Sequence, residues 1–96
     1  RDEVPAKYGL KSKVSNSLVA DGCVIEGELE NCIVFRGVRV GRGAVLKNCI
    51  IMQDTIIGEN ADLSHIIIDK DVTVGEGKTI IGCESFPMYI AKRSVI

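Results

Sequence analysis

Apolar residues in this chain recur in rows. From Val14 onward, aliphatic anchors stand five or six residues apart, or four at one place, and fall into three series. Val14, Leu29, Leu46 and Leu63 form the first, and Val19, Val34, Ile51 and Ile68 the second. Ile25, Val40, Ile57 and Val74 form the third, and every series steps by 15, 17 and 17 residues. The same period is visible as N-S-L-V-A-D-G-C-V-I-E, N-C-I-V-F-R-G-V-R-V-G, N-C-I-I-M-Q-D-T-I-I-G and H-I-I-I-D-K-D-V-T-V-G, beginning at Asn16, Asn31, Asn48 and His65. A fixed period over most of a chain is the signature of stacked repeats. Three anchors per period predict three short strands per turn of a coil, the chain returning one strand spacing, about 4.8 Å, further on. Side chains alternate along a strand, so a second inward position lies two residues before each anchor. It holds Ser17, Cys23, Cys32, Val38, Ala44, Cys49, Thr55, Ala61, Ile66 and Val72, mostly small residues suited to a narrow, close-packed interior. The expectation is an all-β, triangular parallel β-helix of about four coils over residues 14–82.

Corners and ends refine that picture. One corner per coil is shortened and carries Asn16, Asn31, Asn48 and then His65. A tight corner needs positive φ, which Asn tolerates better than most residues and His more often than average. The first complete coil lacks two further residues, at I-E-G-E, where Gly27 is expected to take up a sharper bend. Residues 1–13, with Pro5 and Gly9, read as a linker or lead-in strand. Residues 83–96 break the period and hold Phe86 and Tyr89; they are expected to cap the last coil.

Composition narrows the function classes. Twelve basic and thirteen acidic residues are interspersed, a net charge of −1, with no electrostatic footprint for nucleic acid. No run of about 18 apolar residues and no signal-peptide pattern occurs, so no membrane partner is expected, and the setting reads as cytoplasmic. The chain begins at Arg1, and is expected to be part of a longer polypeptide. Cys23, Cys32 and Cys49 fall on inward positions and are read as buried thiols; Cys32 and Cys49 would stack with parallel side chains, a poor geometry for a disulfide.

The residues that invite a chemical reading mostly have structural roles in the repeat. His65, the single histidine, takes the corner place of Asn, against an alternative role as a general base. Arg36, Arg39 and Arg42 are spaced by three and are candidates for an anion or effector contact, or else a solvated face. Phe35 and Met52 follow anchors in successive coils, so they point outward side by side and are read as a contact surface. Asp69 and Asp71 sit at a corner as turn residues. No catalytic, cofactor-binding or metal-ligating set is assigned.

V-G-R-G-A-V, I-G-E-N-A-D and the degraded V-G-E-G-K-T resemble the hexapeptide repeat, which implies a left-handed parallel β-helix. N-S-L-V-A-D-G-C-V-I-E-G, F-R-G-V-R-V-G and K-N-C-I-I-M-Q-D-T-I-I-G-E-N-A go further. They resemble the C-terminal domain of bacterial glucose-1-phosphate adenylyltransferase (ADP-glucose pyrophosphorylase). V-P-A-K-Y-G and Y-I-A-K-R-S-V-I are similar to its GlgD-type subunit in particular. The resemblance implies a parent with an N-terminal nucleotidyltransferase domain, absent here, that makes ADP-glucose from ATP and glucose 1-phosphate with Mg²⁺. It implies a non-catalytic assembly and regulatory role for these residues, within a homo- or heterotetramer containing a catalytic-type subunit. A hexapeptide acyltransferase domain is the alternative.

Overall fold

The structure, a computed structural model, describes residues 4–96; the first three residues of the lead-in segment lie outside the described residues. Strands are two or three residues long because each runs only from one inward side chain to the next corner. They build three parallel five-stranded sheets, the three sides of a coil. The first sheet stacks Lys7–Tyr8, Val24–Ile25, Arg39–Val40, Ile56–Ile57 and Thr73–Val74. Lys13–Ser15, Glu28–Glu30, Val45–Lys47, Asp62–Ser64 and Thr79–Ile81 form the second. Leu18–Val19, Ile33–Val34, Ile50–Ile51, Ile66–Ile68 and Met88–Ile90 form the third. Among the described residues there is no helix, hence none long and apolar enough to cross a membrane.

Register follows the anchor rows. Val14 pairs with Leu29, Leu29 with Leu46, and Leu46 with Leu63; the other two series pair the same way. The inward positions from Cys23 to Val72 are fully buried, with Ile25, Leu29, Leu46, Ile51, Ile57, Leu63 and Ile68 among the largest core side chains. Val14 and Val19 are less covered, and Ile80 is only half-buried, because each lies near an end of the stack.

The coil extends beyond residues 14–82 at both ends. Tyr8 pairs with Ile25, and Ala6 packs against the core beneath it, so residues 6–9 make one side of an earlier coil. Where a terminal cap is expected, residues 83–96 instead begin a further coil. Met88–Ile90 pairs with Ile66–Ile68, and Val95 bridges Thr73. A tight loop closed by the Cys83–Phe86 bridge accommodates the five extra residues of this turn, and Phe86 stays exposed rather than lying over the stack. Unpaired strand edges are better satisfied by another rung of hydrogen bonds than by a side-chain plug, which is why the tail continues the ladder.

The shortened corner has the expected geometry. Asn16, Asn31, Asn48 and His65 all hold positive φ, between 46° and 57°. The other two corners use the same conformation at Gly22, Gly37, Asp54 and Asp71, and at Gly43, Asn60 and Gly77.

Candidate interaction face

The three outer faces differ. On the second sheet the outward residues flanking each anchor are mostly polar: Lys13 and Ser15, Glu28 and Glu30, Asp62 and Ser64. On the third sheet the single outward row is apolar along the whole stack, running Leu18, Ile33, Ile50, Ile67 and Tyr89 in register. Leu18 is 70% exposed, Ile33 42% and Tyr89 56%. Phe35 and Met52 lie one residue beyond the adjoining strands, in the row Ala20, Phe35, Met52, Asp69, and Phe35 is 40% exposed. The two residues expected to pair outward therefore belong to a larger apolar face. Its first strands line a shallow hollow of about 310 Å³ with Leu18, Ile33 and Phe35.

The sequence carried a signal for this face. In S-L-V, C-I-V, C-I-I and I-I-I the residue between two inward ones is apolar every time, so the alternation of a half-buried strand fails in every coil on this side, whereas on the other two it fails only in some, as at Val24, Val45 and Ile56. Exposed aliphatics in one contiguous patch mark contact surfaces more often than scattered ones do.

The far end of the face is fixed by polar contacts. The Tyr89 hydroxyl donates to Oδ2 of Asp69, and the Lys70 backbone N–H donates to Oδ1 at 2.7 Å. These bonds lower the Asp69 carboxyl below its ordinary value, the Tyr89 hydroxyl contributing most, and the same bond raises the Tyr89 phenol.

Arg36, Arg39 and Arg42 are spread along one side of a coil. Arg36 stands at the corner joining the third and first sheets, Arg39 projects from the first sheet, and Arg42 occupies the next corner. Arg42 is engaged, its Nη2 lying 3.2 Å from Oε2 of Glu59 one coil away. His65 holds the corner with φ of 54°, its N–H donating to the Lys47 carbonyl and its carbonyl accepting from Met88 N–H.

The thiols act as small polar fillers. Cys23 donates to the Phe35 carbonyl at 3.0 Å, Cys32 to the carbonyls of Glu30 and Leu46, and Cys49 to those of Lys47 and Leu63. All three are free and buried, whereas Cys83 is free and exposed. Burial pushes the Cys23 thiol up. The Cys32 and Cys49 thiols, in successive coils, influence one another: the interaction between them raises Cys49, burial adding to the rise, and lowers Cys32. Among the described residues, no group of three or more His, Cys, Asp or Glu side chains is placed to hold a metal ion.

A stack of short parallel strands with Gly, Asn and Asp at left-handed corners defines a hexapeptide-repeat β-solenoid, and residues 4–86 match the GlmU-like, C-terminal hexapeptide family. The chain belongs to that family. More particularly, it is similar to the glycogen biosynthesis protein GlgD of Bacillus subtilis (strain 168), 65% identical over 46 residues, which are 48% of this chain and 13% of that protein. GlgD of Geobacillus stearothermophilus is 52% identical over the same shares of the two chains. The glucose-1-phosphate adenylyltransferase of Clostridium beijerinckii is 51% identical over 43 residues, 44% of this chain and 11% of the enzyme. The matched stretch thus spans about an eighth of the length of these relatives. Two of these relatives, the GlgD proteins, are named for glycogen biosynthesis.

Proposed function

We propose that this chain is the assembly and regulatory domain of a glucose-1-phosphate adenylyltransferase-type subunit and is itself non-catalytic. In that reading the parent protein, cytoplasmic, belongs to a system converting ATP and glucose 1-phosphate to ADP-glucose and diphosphate. An N-terminal nucleotidyltransferase domain carries the chemistry and its Mg²⁺, to which no residue here is assigned, and the subunit forms a tetramer containing a catalytic-type subunit. The observation that carries the assembly role is the unbroken apolar row Leu18, Ile33, Ile50 and Ile67 on one outer face of a solenoid whose second sheet is mostly polar outside.

The face is about 19 Å along the stack and roughly 15 Å wide, from the strand spacing and rise. That is near 300 Å², well under the roughly 800 Å² per partner of a stable interface. It is therefore read as the apolar centre of a larger contact, with the rest supplied by other parts of the polypeptide. Replacing Ile33 and Ile50 with Thr keeps β-propensity and leaves the inward core untouched. The double variant of the full-length protein should sediment as smaller species than the wild type, with unchanged circular dichroism. Unaltered sedimentation would count against this face as the assembly surface.

A further inference from the structure

The outer row of the third sheet lies midway between two corners, and its two flanks vary together. Two positions before the row stand Asn16, Asn31, Asn48 and His65; two positions after it stand Ala20, Phe35, Met52 and Asp69. The coil that exchanges Asn for His on one flank is therefore the coil that carries a carboxylate on the other. Inside one chain the two cannot meet. Four residues of extended backbone, about 13 Å, separate them, and the apolar row runs between.

One position further out, Glu30 and Arg36 flank Ile33, and Lys47 and Gln53 flank Ile50 in the same places. Arg36 and Lys47 are exposed, and Arg42–Glu59 is the one ion pair among the described residues. The long side chains of these outer positions can bend toward a body lying on the face.

A two-fold axis laid along the row brings each flank onto the opposite flank of a second copy, the self-complementary geometry of a symmetric dimer. The two sheets then pack about 10 Å apart and the apolar row meets itself. His65 faces Asp69 of the second copy, Asn31 faces Phe35, and Glu30 faces Arg36. Lys47 faces Gln53, Ser64 faces Lys70 and Ser15 faces Asp21, so no like charges oppose one another. An imidazole N–H donates to a carboxylate. Asp69 accepts from Tyr89 on one oxygen and from Lys70 N–H on the other, and retains lone pairs for a third donor. An axis laid across the row at Ile50 reverses the second stack and fits worse. It sets Asp69 against the Phe35 ring, Arg36 against Lys70 and Lys47 against itself, and gains only Asp21 against Lys92. Burying an unpaired carboxylate and opposing like charges both oppose binding.

We propose that this face binds the same face of a second copy of this chain about a two-fold axis parallel to the stack, with His65 of each copy against Asp69 of the other. The proposal rests on the reading of the face as an assembly surface and adds the partner and its orientation. Because the apolar row alone is smaller than a stable interface, the pairing is measured in the full-length protein.

Full-length chains carrying Ile33→Cys or Ile67→Cys, each with Cys83→Ser, are co-expressed with any co-purifying subunit and oxidised with copper phenanthroline. Disulfide-linked peptides are read by mass spectrometry. Residues on the axis meet their own counterparts, so 33–33 and 67–67 links are expected. Links of 33 to 67, which require a reversed stack, or no link between copies, would each overturn the proposal. Sedimentation equilibrium supplies a second arm. His65→Asp, which sets two carboxylates together, should weaken self-association about tenfold, whereas His65→Asn, which still donates to a carboxylate, should stay within about threefold. A corner with a merely structural role would treat the two alike, since both residues accept left-handed backbone, and equal effects would overturn the pairing. The Ile33→Thr, Ile50→Thr variant separates the two readings. If it dissociates while position 33 links only to a different subunit, the face remains an assembly surface and its pairing with itself is excluded.

Discussion

Asn31 donates a side-chain amide hydrogen to Oδ1 of Asn48, 3.1 Å away, and the two residues share left-handed backbone with φ of 54° and 57°. Asn16 donates to Asn31 in the same way, so one corner carries a short ladder of side-chain amides along the stack. The residue type is thus selected twice, for the conformation and for the bond to the next coil. Asn31→Ala should destabilise by about 1–2 kcal/mol, most of it from forcing a Cβ-bearing, non-amide residue to positive φ. Asn31→Gly should cost less, since the conformation is then unstrained. Urea unfolding of the two variants separates the contributions. His65→Asn should be tolerated without loss of stability, because it restores the corner residue of the other coils.

Gly27 and Gly77 offer a contrast between space and conformation. A Cβ at Gly27 meets backbone oxygens of the next coil, whereas at Gly77 it meets nothing within 4 Å but φ is 72°. Gly27→Ala should cost about 1–3 kcal/mol through overpacking against groups that cannot move aside. Gly77→Asn should change stability by less than about 0.5 kcal/mol, as at an ordinary surface position whose conformation suits the new residue. Thermal melts of both variants provide the comparison.

Thr55 is fully buried, donates to the Asp69 carbonyl at 2.8 Å and accepts from Val72 N–H at 3.2 Å. Val fits the same row, since Val38 and Val72 already stand there. Thr55→Val should nonetheless destabilise by about 1–3 kcal/mol, because it leaves a buried donor and acceptor without partners. Chemical denaturation should show a lower midpoint with an unchanged slope.

Thiol reactivity should divide by burial. Cys83 is exposed, while Cys23, Cys32 and Cys49 are buried in the stack. A chromogenic disulfide reagent at pH 8 should titrate one thiol rapidly in the native protein and the other three only on unfolding. Rapid modification of Cys32 would show that burial in the stack does not protect it.

Asp69 and Tyr89 give a defined pH window. The folded Asp69 carboxyl is lowered from 3.8, so its contribution is present above that value and is lost as pH falls through the folded one. The Tyr89 phenol is raised from 10.0, so its contribution is full below that value and declines as pH rises through the folded one. Tyr89→Phe should therefore lower the melting temperature on the plateau between about pH 5 and 9. The difference from wild type should shrink toward pH 2. Both groups are exposed, so the effect should be small and sensitive to salt.

Much of the fold was legible because the interior is one-dimensional: each coil repeats the environment of the last, so the burial pattern appears in the residue spacing. The inward rows, the Asn and His corner and the burial of three thiols follow from period and alternation alone. Tyr8 hid the first side of the coil, since an aromatic stands where the other coils have Ile or Val. Five extra residues after Gly82 likewise hid the return of residues 88–90 to the third sheet. The apolar outer row was present in the sequence, but it stands out only when the three faces are compared.

The sequence by itself determined the repeat, the triangular coil, the inward residues and the family resemblance, because close packing of a narrow core ties each of them to residue size and spacing. Tertiary structure decided what stacking brings together. Residues 15 or 17 positions apart become neighbours one rung away, so five isolated outward residues join into one apolar face. By the same stacking, a coil two residues short, which in the sequence looks like a slightly shorter repeat, becomes a notch where the Leu10 carbonyl and Gly43 N–H have no partner among the described residues.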